Sequence, residues 1–141
     1  LIIGDLPEGQ LEEEEMNQLG LTLAQKGVNY LPYLLIENHL NYLKPGGYAF
    51  YVIPNDLFSQ THSQAFHQLL TSKANIQALL QLPTTLFKQD ELGKSLFIIQ
   101  KNGEHVKPVG EVLVAQLPNF NDAHQFNKML TRIENWIKLN K

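Results

Sequence analysis

The run Tyr48-Ala49-Phe50-Tyr51-Val52-Ile53 carries no charged or amide side chain, and its aromatic and β-branched residues suit a pleated strand. A strand this apolar has nothing to offer water on either face. It belongs inside a sheet covered on both sides, which is the setting of parallel α/β sheets rather than of one-sided antiparallel ones. Its flanks agree: Lys44-Pro45-Gly46-Gly47 breaks a helix and reverses the chain in front of it, and Pro54-Asn55-Asp56 stops it behind.

The rest of the chain falls into order around this strand. Leu1-Ile2-Ile3 opens as a short apolar strand that runs into Gly4-Asp5-Leu6-Pro7, followed by a polar, glycine-punctuated stretch through Gly27. Residues 30–43 read as a helix covering the sheet, with Leu35, Ile36, Leu40 and Leu43 on one face and Pro32 in the first turn. Ser63 is expected to cap a second helix through Ser72, with Phe66, Leu69 and Leu70 inward. Residues 76–82 form the next strand, ended by Pro83, and residues 95–100 another. The polar excursion between them leaves no room for a helix, so these two strands should be antiparallel. Val112 to Leu117 is a further strand, and Asp122 to Leu139 an amphipathic closing helix striped by Phe126, Met129, Leu130, Ile133, Trp136 and Ile137. The order β-α-β-α-β-β, then a strand and a helix, predicts two crossovers of the parallel kind followed by a pairing of the other hand.

Composition narrows the chemistry. The absence of cysteine excludes disulfides, thiolate metal sites and cysteine nucleophiles, and agrees with a cytoplasmic setting. No apolar run is long enough to cross a bilayer, so no membrane partner is expected. The five histidines have no ligand spacing, and no metal is expected. Ser63 and Ser95 lack the surroundings of a nucleophilic serine. The net charge of −3 gives no long-range pull on phosphate, so any nucleic-acid contact must be local. The run Glu12-Glu13-Glu14-Glu15 reads as a solvated loop or helix start.

Taken together, Asp5-Leu6-Pro7, Leu43-Lys44-Pro45-Gly46-Gly47-Tyr48, Val52-Ile53-Pro54-Asn55-Asp56-Leu57-Phe58 and Gln81-Leu82-Pro83-x-x-Leu86-Phe87 with Lys94-Ser95-Leu96-Phe97 resemble the N6-adenine-specific DNA methylases. The likeness is closest to the modification-subunit type and its small stand-alone bacterial relatives, and runs from residue 1 to about residue 101. It implies an α/β fold: the C-terminal half of a Rossmann-like class I methyltransferase sheet, mostly parallel with one antiparallel strand. Strand 48–53 would follow the Asp5 strand, and 95–100 would be the antiparallel insertion. Residues 1–141 would then be one partial domain. The S-adenosyl-L-methionine site, with its Gly-rich loop, is expected upstream of Leu1 in the remainder of the same catalytic domain, since no G-x-G stands in this chain.

Adenine N6 is a weak nucleophile because its lone pair is delocalised into the ring. An enzyme must accept hydrogen bonds from the amino group and hold it in line with the methyl. In the family this falls to an Asn, Asp or Ser followed by Pro-Pro and an aromatic residue that stacks on the flipped base. Carried over, Asp5 is the amino-group acceptor, Leu6 replaces the first Pro, Pro7 matches the second, and Glu8 stands in the aromatic position. A Glu cannot stack, so the ring must come from elsewhere, and Tyr30 and Phe58 are the replacements the sequence allows. Asn55 is a polar group delivered to the same edge, and Lys88 and Lys94 are candidate phosphate contacts. Adenine in DNA is the expected target. A methyltransferase-derived binding or regulatory module that no longer methylates, or an enzyme acting on RNA or a protein amide, are the alternatives.

Overall fold

The computed structural model describes residues 1–87 and 93–141. Five strands, β1 (Ile2–Asp5), β2 (Tyr48–Pro54), β3 (Ala74–Gln81), β4 (Lys94–Lys101) and β5 (Leu113–Gln116), form one sheet in the order β1-β2-β4-β3-β5. β1 pairs with β2 and β3 with β5 in parallel, while β4 runs antiparallel to both of its neighbours. The expected antiparallel insertion is therefore present, and it lies between β2 and β3. Two of the parallel steps from β1 toward β5 are made by a helix, α3 (Leu31–Tyr42) from β1 to β2 and α4 (Ser63–Lys73) from β2 to β3, while the step from β3 to β5 passes through β4.

Right-handed crossovers that advance in one direction put their helices on one face. Accordingly Ala49, Tyr51 and Ile53 of β2 and Phe97 and Ile99 of β4 pack with Ile36, Leu40, Phe66 and Leu70 in a single cluster, all nearly or fully buried. Each buried Ile, Leu and Phe side chain among them contributes roughly 1.5–3 kcal/mol of transfer free energy, and truncating Phe66 to Ala would cost about 3–5 kcal/mol. The opposite face carries a smaller cluster, in which α5 (Ala123–Asn140) lays Met129, Ile133 and Trp136 over Ala78, Leu80, Leu113 and Ala115. Leu130 and Ile137, in the predicted inward stripe of α5, remain well exposed.

The turn that feeds β2 depends on its glycines. Gly46 has φ +82°, and a Cβ at Gly47 would lie 2.8 Å from Leu43 Cδ1 and 2.9 Å from the Lys44 carbonyl oxygen. Gly46 N donates to Lys101 O at 2.9 Å and Lys101 N to Gly47 O at 2.8 Å, which ties the turn to the end of β4.

Two local expectations are corrected. The stretch before Gly27 contains two short helices, α1 (Glu13–Asn17) and α2 (Thr22–Gln25). The Glu run starts α1 through a capping box between Glu12 and Glu15, where the carboxylates also complement the helix dipole. Ser63 is not the N-cap of α4: a turn closed by Ser63 N donating to Gln60 O at 3.1 Å draws it into the helix. His62 takes the cap position, with φ +68° and no side-chain cap bond.

Candidate active site at the carboxyl edge of the sheet

β1 and β2 are parallel and in register from Ile2↔Ala49 to Asp5↔Val52, so Asp5 and the Pro54-Asn55-Asp56 turn emerge at one edge of the sheet. Leu6 N donates to Val52 O at 3.2 Å, and the Leu6 side chain is buried, which anchors the chain where it leaves the strand. Pro7 and Glu8 then project as exposed residues. Gly9 turns the chain with φ +146°, and its carbonyl accepts from Leu31 N at 2.8 Å, tying the loop to the start of α3. The loop that follows Asp5 is thus held at both ends, while the Asp5 side chain itself is 64% exposed.

Lys94 Nζ stands 3.4 Å from Asp5 Oδ1. Lys94 opens β4 opposite Pro54, so its side chain reaches across the end of β2 to Asp5. This is the one ion pair among the described residues. Lys88 lies outside the described residues.

Asn55 is exposed but held on two sides: its N–H donates to Gly93 O at 3.0 Å, and its Oδ1 accepts from Ser95 Oγ at 2.5 Å. A Cβ at Gly93 would fall 2.7 Å from Asn55 Nδ2, so a larger residue there would turn the Asn55 amide aside. Asn55 and Ser95 line a cleft of about 360 Å³ with Gln81 and Gln116, a group of amides and one hydroxyl that bears no charge. Sequence reasoning gave Ser95, Gln81 and Gln116 no part at this edge. The repeated Gln-Leu-Pro that ends both β3 and β5 was the available signal, because Gln81 and Gln116 pair directly in the parallel register.

The two replacement rings are packed inward. Tyr30 is 8% exposed and meets Tyr33 edge to face at 4.8 Å between centroids. Phe58 is half-buried and packs edge to face on Phe97 at 5.4 Å. Tyr33 stacks on Phe66 at 4.1 Å, and its hydroxyl donates to Leu57 O in the turn after β2. Burial pushes the Tyr33 hydroxyl up to about 12, aided by Tyr30 nearby. Tyr30 is raised as well, first by burial and then by the carboxylates Glu8 and Asp56. Two acids therefore approach Tyr30 from different loops, and Asp56 Oδ1 is buried without a hydrogen-bond partner among the described residues. Among the described residues, no three His, Cys, Asp or Glu side chains converge as metal ligands, and no helix is long and apolar enough to cross a membrane.

The model of the N-6 DNA Methylase family matches residues 8–138. The chain belongs to that family. It is 36% identical over 140 residues to the uncharacterized protein YtxK of Bacillus subtilis (strain 168), covering 99% of this chain and 43% of that one. A provisionally assigned class I S-adenosylmethionine-dependent methyltransferase of Listeria monocytogenes is 33% identical and superimposes with a TM-score of 0.82, over 95% of this chain and 41% of its own. A modification subunit of a provisionally assigned type I restriction enzyme from Vibrio vulnificus YJ016 shares the fold, with a TM-score of 0.73 at 19% identity, over 95% of this chain and 31% of its own. This methylase-family chain spans less than half the length of these relatives. The mixed sheet with β4 inserted agrees with the fold that the resemblance implied.

Proposed function

We propose that residues 1–141 are the carboxyl-terminal part of an S-adenosylmethionine-dependent methyltransferase domain that acts on the N6 amino group of adenine in DNA. The observation that carries this reading is the position of Asp5. It is an exposed carboxylate at the carboxyl end of a parallel strand, where ligands of open α/β sheets bind. Its oxygens can accept from the amino group, which orients the nitrogen lone pair, and the adjacent anchored loop fixes its direction. A carbonyl in the Leu6-Pro7 stretch is the second acceptor. Lys94 serves as a local phosphate contact, Asn55 as a polar group toward the substrate, and Glu8 stands at the approach, with Tyr30 and Phe58 packed inward from it.

The cofactor supplies the electrophilic methyl when bound. This chain fits the nucleophile's side of the reaction, with an exposed acceptor, but contains no Gly-x-Gly loop for the methionine half. Those groups belong to the rest of the catalytic domain, and the relatives carry more than half their length outside the matched span. A cytoplasmic location is proposed with it, on the absence of cysteine.

One observation favours a second reading, a methyltransferase-derived module that binds without methylating. Glu8 puts an exposed carboxylate where the family has a stacking ring, and both nearby rings are packed inward. The experiment is calorimetric titration of the full-length protein with S-adenosylmethionine, followed by tritium-methyl transfer to unmethylated DNA. Heat together with transfer that Asp5→Ala abolishes supports the first reading, and heat without transfer the second. Transfer at the wild-type rate by Asp5→Ala would overturn the assignment of Asp5.

A further inference from the structure

Three clefts meet at Gln116, the last residue of β5, on the carboxyl edge of the sheet. The first is the amide cleft of about 360 Å³, where Gln116 stands with Gln81, Asn55 and Ser95 over Leu79 and Val114. The second, of about 320 Å³, continues from Gln116 to Thr84 and Asn119. The third, of about 200 Å³, leads from Gln116 to Lys128 and Arg132 on α5. They make one groove with a neutral polar middle and a basic far end. Its near end is basic too, because Ser95 follows Lys94, the lysine that reaches Asp5.

The two glutamines are set by rigid backbone. Gln81 ends β3 and Gln116 ends β5, and the parallel register pairs them directly. Leu117 N donates to Gln81 O at 2.8 Å and Leu82 N to Lys94 O at 2.9 Å, so β3, β4 and β5 are tied together where the amides stand. A carboxamide donates and accepts side by side, which matches the N7 acceptor and N6 donor that adenine presents in the major groove. Val114, 59% exposed, lies in the same cleft and offers an apolar contact to the methyl group of thymine. None of the described residues lining this cleft is charged, so a neutral base edge enters it without desolvating an ion. Phosphate needs the opposite, and Lys128 and Arg132 supply it. Arg132 Nη2 donates to Val114 O at 3.0 Å, which lays the guanidinium along β5, and its fork holds further N–H groups for a phosphate oxygen.

We infer that Gln81 and Gln116 are specificity-determining residues that read an A·T base pair flanking the target adenine, while Lys128 and Arg132 hold the adjoining phosphates. The inference rests on the reading of Asp5 as the acceptor for the target base, and adds which residues distinguish one DNA sequence from another. Spacing fixes where the pair lies. β3 and β5 stand three and four strand spacings from β1, about 14–19 Å, which is the length of about four to six base pairs. Asp5, Asn55, Gln81 and Gln116 end or follow strands at one edge, so a duplex laid across that edge meets them in this order. The net charge of −3 offers no long-range pull, and the groove places its two basic ends where phosphates are needed locally.

The test uses the full-length protein and a library of unmethylated duplexes randomised on both sides of one fixed adenine, selected by binding without cofactor and then sequenced. The wild type should select A·T about four to six pairs from the fixed adenine. Its Kd for such a duplex should be about 5- to 150-fold below that for one with G·C in that place. The double variant Gln81→Ala, Gln116→Ala should bring this ratio close to one by weakening the A·T duplex alone, whereas a merely structural role would weaken both. Lys128→Met should weaken both duplexes alike and lower the salt slope by about 0.9; an unchanged slope would remove Lys128 from the phosphate contacts. No selection at that distance, selection that survives in the double variant, equal weakening of both duplexes by it, or preferential retention of the same library made as RNA would each overturn the reading of bases by the two glutamines. Methyl transfer measured in parallel separates the two readings: Asp5-dependent transfer without selection overturns this inference alone, and neither binding nor transfer overturns the proposed function with it.

Discussion

Lys94 and Asp5 are separated by 89 positions, yet Lys94 Nζ lies 3.4 Å from Asp5 Oδ1 because β4 is inserted beside β2. Both side chains are substantially exposed, at 38% and 64%, so their pairing contributes little to stability, within about 1 kcal/mol. The proposed function gives the pair a consequence for binding, with Lys94 exchanging the acid for a DNA phosphate. In the full-length protein, Lys94→Met should leave Tm nearly unchanged and lower the slope of log K against log salt for DNA binding by about 0.9, the contribution of one phosphate contact. Filter binding across a salt series measures this, and an unchanged slope would remove Lys94 from the phosphate contacts.

His39 predicts a pH dependence. Its Nδ1 is 2.8 Å from Tyr51 Oη, and burial holds its pKa below the ordinary value of 6.5. The folded protein therefore takes up this proton less readily than the unfolded chain. The stability that neutral His39 contributes is complete above pH 6.5 and is lost as pH falls through 6.5 toward the folded pKa. Chemical denaturation at pH 7.5 and pH 5.5 should show a smaller loss for His39→Gln than for the wild type. Equal losses would mean that His39 is not the group responsible.

Two buried polar contacts should matter more for stability than any surface pair. Tyr33 is fully buried, and its hydroxyl holds the Leu57 carbonyl in the turn that follows Asn55 and Asp56. Tyr33→Phe leaves that carbonyl unpaired and should cost about 1–3 kcal/mol. Glu37 is also buried, and its carboxylate accepts from Thr22 N at 2.7 Å and Leu23 N at 2.8 Å, capping α2 from a distant helix. Glu37→Ala strands two donors and should cost about 2–5 kcal/mol, more than Glu37→Gln, which keeps one acceptor. Urea midpoints with unchanged m-values check both variants, and a Glu37→Ala midpoint at the wild-type value would show that water can replace the cap.

These contacts also mark where the sequence stopped being informative. The strand order was legible because connection lengths and apolar runs are local: a helix fits between Ile53 and Ile76, and none fits between Leu82 and Ser95. Glu37 was not legible, since a charged residue on an apolar helix face looks the same whether it caps a neighbour or faces water. α1 and α2 are 5 and 4 residues long, too short to show a helical period. The Asp5–Lys94 pair and the β3 bulge between Ile76 and Ala78 depend on register between strands distant in sequence, which no local pattern encodes. Tyr30 and Phe58 looked available because aromatic residues in loops are ambiguous, and only packing against Tyr33 and Phe97 decides where their rings point.

Glu8 gives the sharpest test of how the edge works. It is exposed, its neighbour Gly9 carries the backbone bond to Leu31, and its carboxylate helps to raise the pKa of Tyr30. Replacing it should therefore leave the fold intact while changing the edge's charge and supplying a ring. If adenine is the target, Glu8→Tyr in the full-length protein restores a stacking partner worth about 1–3 kcal/mol, which is about 5- to 150-fold in kcat/KM on DNA. The gain should vanish in the double variant with Asp5→Ala, because stacking helps only a base whose amino group is still held. Steady-state methyl-transfer kinetics of the four proteins in that cycle measure both effects. A Glu8→Tyr protein no faster than the wild type would mean that the base does not pass over this position.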